Sequence, residues 1–359
     1  MINKINLINF RNHSNFNLSL DKTTILIGSN GAGKTNILEA ISLVSFGRSF
    51  REDDRKNLIT LGCDYGRVNI DEIEFFISKS PRLSCSVKLR GLKKSLTAII
   101  GQIPSVVFSP ETLAVITGEP SLRRRFFDIM ISQISKDYLK ALSSYLKIRR
   151  QRNRLLDFIK EGRAEEKELD FWDAELSGYG NIIASHRTES AEFINKIIDK
   201  IYQEISGDSS SKFQIEYQNK SGENLFKKLT ENRSREIGAG VTIYGPHRDD
   251  IIFKLNNHDI ASFGSRGEIR SATLSLKIAE LEYLNQKRQE LPELFDRSVK
   301  PILLLDDVFS EFDADRRSHL GSLISSYQSL ITTTDLDHLN EKLKKNAKII
   351  EITKRKKDG

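Results

Sequence analysis

The sequence predicts an α/β fold in which a buried parallel sheet carries helices, with an antiparallel β meander and an inserted, coiled-coil-like helical arm. Three observations predict this fold. An apolar run at residues 24–27 leads into a glycine-rich loop and then into apolar side chains at helical spacing. A second apolar run, at residues 301–305, ends in two aspartates. Between these runs, over residues 121–206, proline and glycine become scarce and helical periodicity takes over.

The glycine-rich loop follows the pattern G-x-x-x-x-G-K-[ST], which is typical of phosphate-binding P-loops. Its glycines let successive backbone N–H groups point at an anion, and the next helix turns its positive N-terminal end to the same place. Lys34 is predicted to act in catalysis as a charge for the β- and γ-phosphates, and Thr35 to bind Mg²⁺. The predicted nucleotide contacts are Gly28, Ser29, Asn30, Gly31, Ala32, Gly33, Lys34, Thr35 and Asn36.

The second apolar run predicts the acidic partner that a P-loop requires. Residues 301–305 read Pro-Ile-Leu-Leu-Leu and lead into Asp306 and Asp307, which is the Walker B pattern. Such a strand brings its last residue to the carboxyl edge of the sheet, where α/β proteins bind ligands. Asp306 is therefore predicted to hold Mg²⁺, through water, and Asp307 to orient or polarise the attacking water as a catalytic residue.

A second phosphate cradle is predicted near Ser265. Residues 263–270 read Phe-Gly-Ser-Arg-Gly-Glu-Ile-Arg and precede a helix pattern, so small residues lie at a helix N-terminus. A P-loop needs one cradle in its own chain, so the second is predicted to serve the nucleotide of a partner subunit. This is the arrangement of ABC-type ATPase heads, in which two subunits enclose two nucleotides. An ordinary helix cap is the alternative interpretation.

Taken in order, the chain divides into three predicted segments. Residues 1–120 form the N-terminal part of a P-loop ATPase head, with strands before the P-loop and a β meander after its helix. Residues 121–237 form the helical arm, whose two long antiparallel helices are separated by a break near Gly162, and Trp172 and His186 are assigned to the apolar seam along the second helix. Residues 238–359 return to the head, with β structure at 241–244, the helix after Ser265 and the Walker B strand.

The charge of the chain bears on the class of partner. A net charge of +7 permits a nucleic-acid partner without requiring one. A basic run over residues 342–357 is interpreted mainly as a solvated surface. For Arg11, which lies close to the P-loop in sequence, nucleotide contact and a surface position are equally open. A DNA-facing patch and a solvated charged face are likewise equally open for Lys147, Arg149, Arg150, Arg152 and Arg154.

Other sequence features bear on the compartment. The sequence has no stretch of 18 apolar residues and no basic-then-apolar pattern at its start, so we expect a cytoplasmic protein without a membrane partner. Cys63 and Cys85 lack the spacing of metal ligands. In that compartment a disulfide is not expected.

Several stretches together resemble one family, RecF, whose members are ABC-type ATPases related to the heads of SMC proteins. The resemblance covers nearly the whole sequence. Its most specific parts are residues 108–128 and 245–250, because many other NTPases share the Walker motifs. The stretches that carry it are Asn9–Asn12, Gly28–Thr35, Gly47–Arg51, Phe108–Asp128, Gly245–Asp250, the loop at Ser265, and Leu303–Asp313.

The resemblance implies ATP and Mg²⁺ as cofactors, an ATP-dependent homodimer, and weak, DNA-stimulated ATP hydrolysis that acts as a switch. It implies binding to single-stranded, double-stranded and gapped DNA in replication, recombinational repair and the SOS response. It also implies RecR as a partner, with RecO and RecA downstream. Of the residues, it implies that Ser265 and Gly267 contact the γ-phosphate across the dimer and that Thr333, Thr334 and Asp335 form a switch region. The rival interpretation is an ABC-type ATPase subunit of a transporter or of another complex without DNA.

Two positions depart from the family pattern. Gly267-Glu268-Ile269-Arg270 stands where many members have Gly-Gln-Gln-Arg, and Thr112 stands where an acid is usual. An acid beside a phosphate site predicts weaker ATP-driven closure unless it points away. Arg248, within residues 245–250, has no role that follows from its chemistry alone.

Overall fold

The computed structural model describes residues 1–222, 224–290 and 299–353. Its strands are β1 Lys4–Phe10, β2 His13–Ser19, β3 Thr23–Ile27, β4 Tyr65–Ile70, β5 Ile73–Ser78, β6 Ser84–Leu89, β7 Leu92–Lys94, β8 Ser105–Phe108, β9 Phe213–Gln218, β10 Asp250–Leu255, β11 His258–Asp259, β12 Ile302–Asp306, β13 Gln328–Thr333 and β14 Lys348–Glu351. Its helices are α1 Lys34–Phe46, α2 Leu96–Ile99, α3 Leu113–Thr117, α4 Pro120–Ser132, α5 Lys136–Lys160, α6 Leu169–Asn195, α7 Ile198–Ser206, α8 Leu225–Glu231, α9 Arg233–Ala239, α10 Ile260–Phe263, α11 Arg266–Glu290, α12 Ala314–Ser326 and α13 Glu341–Lys345.

The chain divides into two compact units. The head unit contains residues 1–113 and the described part of 273–359, and the arm unit contains residues 114–272. The predicted arm, 121–237, is shorter than this unit at both ends. At the C-terminal end the difference arises because β10 and β11 pair with β9, in the order β11-β10-β9, in a sheet of the arm unit. The assignment of functions to these segments stays a prediction.

The head unit is built on a parallel sheet with the order β14-β3-β13-β12-β8. Strands β12 and β13 are buried along their whole length, as expected for strands covered on both faces. The register places Asp306 beside Thr332 and Thr333 beside Ile27. The carboxyl ends of these strands therefore bring the Walker B acid and the start of the P-loop to one edge of the sheet.

A second sheet of the head unit is an antiparallel meander with the order β2-β1-β4-β5-β6-β7. Strands β4 and β5 alternate strictly between buried and more exposed side chains, which is the pattern of a sheet with one face on a core. From the sequence, the meander was predicted by the closeness of its short apolar stretches along the chain. The predicted fold class, an α/β head with a meander and an inserted helical segment, is confirmed.

Two long helices, α5 and α6, dominate the arm unit and pack along one another, with the predicted break at Gly162 between them. Their packing face is rotated from the predicted apolar seam. Trp172 and His186, assigned to that seam, are only half-buried, whereas Asp173 and Arg187 are almost completely buried. Of the helices in the described residues, none combines the length and the apolar character needed to cross a bilayer.

The buried charges of the arm unit include a cluster around Arg152. Its guanidinium donates from Nε to Asp173 at 2.7 Å, from Nη2 to Glu236 at 2.6 Å, and from Nη1 to Thr242 Oγ1 at 3.0 Å. The side chains of the three charged residues are fully buried. Arg233 adds a second guanidinium on Asp173. The prediction that Arg152 belongs to an exposed or DNA-facing basic patch is therefore wrong.

The same cluster explains why residues 241–244 are not a strand. The Thr242 N–H donates to Asn153 Oδ1 at 2.9 Å, and the Ile243 N–H donates to Glu236 Oε1 at 2.6 Å. Side chains thus take the backbone donors that a β ladder would use. The sequence prediction of β structure here is wrong, and the strand begins only at Asp250.

Replacement of Arg152 by alanine is expected to lower the free energy of unfolding by about 3–5 kcal/mol, because Glu236 loses its counter-charge in a buried site and Asp173 keeps only Arg233. Arg150→Ala is the matched control, since Arg150 lies on the same helix and is exposed. Urea denaturation followed by circular dichroism measures both variants. Equal stability of the two would contradict this role for Arg152.

Candidate nucleotide-binding site

The P-loop lies between β3 and α1 in the head unit. Gly31 and Gly33 have positive φ values of 77° and 109°, which side chains other than glycine rarely adopt. A Cβ atom on Gly28 would overlap the carbonyl oxygen of Ile352, so the loop packs closely against the chain that follows β14. Among the described residues, no side chain caps the N-terminus of α1. The loop therefore leaves the first N–H groups of α1 to an anion, and these residues fit a phosphate group.

The turn between β1 and β2 braces the P-loop from the side. Asn12 Nδ2 donates to Ala32 O at 3.0 Å, and its Oδ1 accepts from Asn36 Nδ2 at 2.8 Å. His13 Nε2 lies 3.0 Å from Gly33 O, so this ring nitrogen carries the proton and donates. Two backbone carbonyls of the loop are thereby fixed by side chains from one hairpin.

Arg11, in the same turn, contacts α1 and the segment that follows it. Its guanidinium forms two hydrogen bonds with Glu39 of α1, at 2.7 and 2.6 Å, and a third with Asn57 O at 2.9 Å. The Glu39 side chain is fully buried and also accepts from Ser49 Oγ. Of the two interpretations left open by the sequence, this geometry favours a structural ion pair over nucleotide contact.

Lys34 reaches across the loop that it follows. Its Nζ donates to Gly28 O at 2.6 Å and to Ser29 O at 3.1 Å. Burial lowers the pKa of Lys34, and the carboxylates of Asp307 and Asp306 oppose that shift. The ammonium group is therefore held over the loop, on the side that faces the Walker B acids.

Asp306 is fixed by two hydroxyl groups. Thr35 Oγ1 and Thr332 Oγ1 each donate to Asp306 Oδ1 at 2.7 Å. Burial raises the pKa of Asp306, and the two hydroxyl donors lower it. The other carboxylate oxygen, together with the Thr35 hydroxyl, matches the donor set that Mg²⁺ takes in P-loop sites, where waters and phosphate oxygens complete the shell. The two predicted metal ligands are thus in direct contact.

Asp307 has an unusual backbone conformation, with φ 52° and ψ 27°. Its N–H donates to Thr332 O at 3.2 Å and to Thr332 Oγ1 at 3.1 Å, and these bonds hold the strained residue in place. Burial raises the pKa of Asp307, and the charge of Lys34 opposes the rise. A carboxylate held in this way can accept a proton more readily than an ordinary aspartate.

A further acid lies at the same edge of the sheet. Glu111 follows β8, and its negative charge adds to the effect of burial in raising the pKa of Asp306, whereas Arg51 lowers it. Thr112 Oγ1 accepts from the Ser109 N–H at 3.0 Å, which is a role that an acid at this position would also fill. The departure of Thr112 from the family pattern is therefore structurally conservative.

A cleft of about 560 Å³ borders the P-loop within the head unit. Asn36, a predicted nucleotide contact, lines it together with Asn12. Four basic residues line it, namely Arg11, Arg51, Lys56 and Lys79.

Ser265 and Gly267 belong to the arm unit, at the start of α11. The Ser265 N–H donates to Glu268 Oε2 at 2.7 Å, and the Glu268 N–H donates to Ser265 Oγ at 3.2 Å. This reciprocal pair of hydrogen bonds is a capping box. Ser265 and Glu268 therefore form an ordinary N-terminal cap of α11, the alternative that the sequence left open. The cap also places the atypical acid on the helix N-terminus, where a phosphate of a partner's nucleotide was predicted to bind.

Comparison with known proteins gives one consistent result. The family model described as "RecF/RecN/SMC N terminal domain" matches residues 1–358. The "DNA replication and repair protein RecF" of Ligilactobacillus salivarius is 35% identical over 373 aligned positions, which cover 98% of this chain and 95% of the relative. The chain belongs to the RecF family. The predicted resemblance is confirmed, and it favours a replication and repair protein over a transporter subunit.

Solved structures agree with this assignment. A RecF structure described as "recombination mediator protein RecF-ATP in RecFOR pathway" is 32% identical, covers 94% of this chain and 93% of its own, and has a TM-score of 0.84. The Smc head domain of Pyrococcus furiosus is 18% identical, covers 99% of this chain and 94% of its own, and has a TM-score of 0.52. The second likeness shows the shared fold, as expected for a RecF-family head.

Several residues of this RecF-family site were not found from the sequence. Asn12 ends one of the stretches that carry the family resemblance, but neither Asn12 nor His13 was assigned a role. Thr332 contacts Asp306, whereas the predicted switch residue Thr333 donates instead to Asp335 O. The available signal was a row of threonines at the end of an apolar strand, which fixes the region but not the residue.

Replacement of Arg11 by alanine is expected to destabilise the head unit by about 3 kcal/mol, because the buried Glu39 carboxylate loses its counter-charge. The double variant Arg11→Ala/Glu39→Gln is expected to regain about half of this loss, since glutamine carries no charge. Chemical denaturation of the two variants and of Glu39→Gln gives the coupling free energy. Wild-type stability of Arg11→Ala combined with weaker nucleotide binding would favour the contact interpretation instead.

Proposed function

We propose that this chain binds ATP with Mg²⁺ and uses it to switch DNA binding on and off in DNA replication and recombinational repair. The observation that carries the proposal is the hydrogen bond of 2.7 Å between Thr35 of the P-loop and Asp306 of the Walker B strand. Its two partners are the metal ligands that a P-loop ATPase requires. The names of the relatives, a replication and repair protein and an ATP-bound recombination mediator, support the same function.

In the proposed complex, different residues bind different parts of the nucleotide. The N–H groups between Gly28 and Thr35 cradle the phosphates, and Lys34 exchanges its bonds to Gly28 O and Ser29 O for the β- and γ-phosphate oxygens. Thr35 and Asp306 hold Mg²⁺, which neutralises charge on the phosphates when bound. Asn36 and the cleft beside it receive the rest of the nucleotide.

Hydrolysis depends on Asp307. Its raised pKa and its position after Asp306 suit it to orient the attacking water and to accept a proton at a carboxylate oxygen. Thr332 is a positioning residue, because it holds both the Asp306 carboxylate and the Asp307 N–H. We infer that turnover is slow and stimulated by DNA, so that hydrolysis ends a bound state.

Dimer formation rests on the start of α11. Ser265 and Gly267 present helix N–H groups to the γ-phosphate of a partner subunit. Phe263, two residues earlier, has 77% of its surface exposed, which suits a surface that a second copy covers. The Glu268 carboxylate must leave the helix terminus before a phosphate can take its place.

The proposed partners follow from the family and from the charge of the arm unit. Single-stranded, double-stranded and gapped DNA are the proposed ligands, with RecR as a direct partner, RecO and RecA downstream, and the cytoplasm as the compartment. Lys147, Arg150 and Arg154 remain exposed on α5 and can meet a phosphate backbone. Of the basic run at 342–357, residues 354–357 lie outside the described residues.

The test is binding of the full chain to a labelled gapped duplex with ATP, with ADP and without nucleotide, at two salt concentrations. ATP is expected to tighten binding by about tenfold or more, and higher salt to weaken it. Lys34→Arg is the matched variant, because a guanidinium keeps the charge but has a different shape. It should keep its fold and lose both the ATP effect and ATP-dependent dimerisation.

Three other results are informative. Binding that ignores nucleotide would leave a DNA-binding protein and remove the switch. Absence of DNA binding in every state would overturn the proposal. An unchanged dimer population of Lys34→Arg in ATP, measured by sedimentation, would remove the P-loop from control of the dimer.

Replacement of Glu268 by glutamine is expected to strengthen ATP-driven dimerisation by about 1 kcal/mol, because it removes a negative charge from the phosphate position and keeps an acceptor for the Ser265 N–H. Sedimentation over a range of ATP concentrations measures the effect. Ser265→Arg is the opposite control, expected to bind ATP as a monomer and not to dimerise. The same dimer affinity for Glu268→Gln and the wild type would contradict competition by this acid.

A further inference from the structure

The stretch Gly-Pro-His-Arg at residues 245–248 forms a tight turn whose shape is set from inside the arm unit. The Arg248 N–H donates to Gly245 O at 2.8 Å, and Arg187 Nη1 donates to Pro246 O at 2.7 Å. Gly245 has φ 135°, and a Cβ atom there would overlap the hydroxyl of Tyr145. The turn therefore requires glycine at its first position and is anchored by a buried arginine.

The His247 side chain is held by hydrogen bonds to Tyr145 and Thr242. Its Nδ1 accepts from the Tyr145 hydroxyl at 2.6 Å, and its Nε2–H donates to Thr242 O at 3.0 Å. Both ring nitrogens are thus used by a neutral imidazole. Burial, together with the positive charges of Arg149, Arg248 and Arg124, lowers the pKa of His247 to about 3, although the hydrogen bond to Thr242 O opposes the shift. Three guanidinium groups therefore surround one neutral, fixed side chain.

These three arginines, the 124/149/248 cluster, come from different elements. Arg149 lies one helical turn after Tyr145 on α5, so it is on the same side of the helix as the His247 contact. Arg248 is exposed on the turn, and Arg124 of α4 donates from Nη1 to Asp249 O at 2.7 Å. Within the described part of the chain, none of the three forms an ion pair with a carboxylate.

The carboxylates nearest to the cluster accept hydrogen bonds from other residues. Asp250 accepts two hydrogen bonds from Arg123, at 2.8 and 3.0 Å, and Asp128 pairs with Arg187 at 2.7 Å. Asp249 accepts from the Tyr217 hydroxyl and from the Lys220 N–H. These three carboxylates also attract the Arg124 guanidinium, so the positive charge of the cluster that is left without a counter-charge lies mainly on Arg149 and Arg248.

We propose that Arg124, Arg149 and Arg248 form a binding site for the phosphates of a nucleic-acid backbone, presented by the rigid turn at residues 245–248. The proposal rests on the proposed DNA-binding function and assigns a site to it. Guanidinium groups pair with phosphate oxygens through two parallel hydrogen bonds. The backbone of the turn that carries Arg248 is already held by hydrogen bonds, which reduces the entropy lost on binding. The proposal gives Arg248, which the sequence left without a role, a direct contact with the ligand.

The proposed site is distinct from a second group of basic residues on α5. Lys147, Arg150 and Arg154 are exposed and recur at spacings of three and four, so they share one side of α5. Arg149 is turned about 100° away from Arg150 around the helix axis. The two groups can therefore be separated by mutation, with equal loss of charge.

The experiment compares Arg149→Gln/Arg248→Gln with Lys196→Gln/Lys212→Gln in the full chain, since Lys196 and Lys212 are exposed in the arm unit and belong to neither basic group. A labelled gapped duplex is titrated with ATP present at a series of KCl concentrations. Loss of two phosphate contacts is expected to weaken binding by at least about tenfold and to reduce the slope of log affinity against log salt by about two. The control variant is expected to bind more tightly than the test variant, and both should melt at the wild-type temperature.

Each outcome decides the proposal. If the test variant binds as tightly as the control, with the same salt slope, the effect is one of general charge and the site is wrong, while DNA binding itself stands. If the wild type binds no DNA, the proposed function fails and this site fails with it. Arg248→Gln alone is the second variant, since its exposed side chain has no part in the fold, and its salt slope should fall by about one.

Discussion

The contact between Thr35 and Asp306 is the constraint on which the head unit depends. The two residues are 271 positions apart in sequence, and their hydrogen bond requires three strands to lie in parallel with a fixed register. A shift of one residue in β12 would point the Asp306 carboxylate to the other face of the sheet. Full burial of β12 and β13 makes such a shift costly, because it would expose apolar side chains or bury polar ones.

The parts of the site that the sequence predicted are those whose residues lie close together along the chain. The P-loop and the Walker B strand have fixed spacings, because one turn and one strand end hold the phosphates and the metal, and a pattern of residue types suffices to find them. Asn12, His13 and Thr332 could not be assigned, because their roles arise from a hairpin and a strand that approach the loop only in the fold. Secondary-structure propensity does not say which residues of distant segments come into contact.

The arm unit shows a different limit of sequence analysis. An apolar seam at helical spacing predicted two packed helices, and the helices are present, but Arg152, Asp173 and Arg187 occupy the packing face. Periodicity treats charged residues as solvent-facing. Each of these residues instead meets a charge from a distant segment, and that pairing permits its burial. The stretches that carried the family resemblance, 108–128 and 245–250, supply several of the partners.

The position of β3 has a consequence for synthesis of the chain. This strand is made early, yet both of its neighbours in the sheet, β13 and β14, come from residues 328–333 and 348–351. Until those residues leave the ribosome, β3 has two open edges and the P-loop lacks its contact with Ile352. The arm unit, whose segments are all translated earlier, can fold first. A nascent chain is therefore without a nucleotide site until translation has passed both strands.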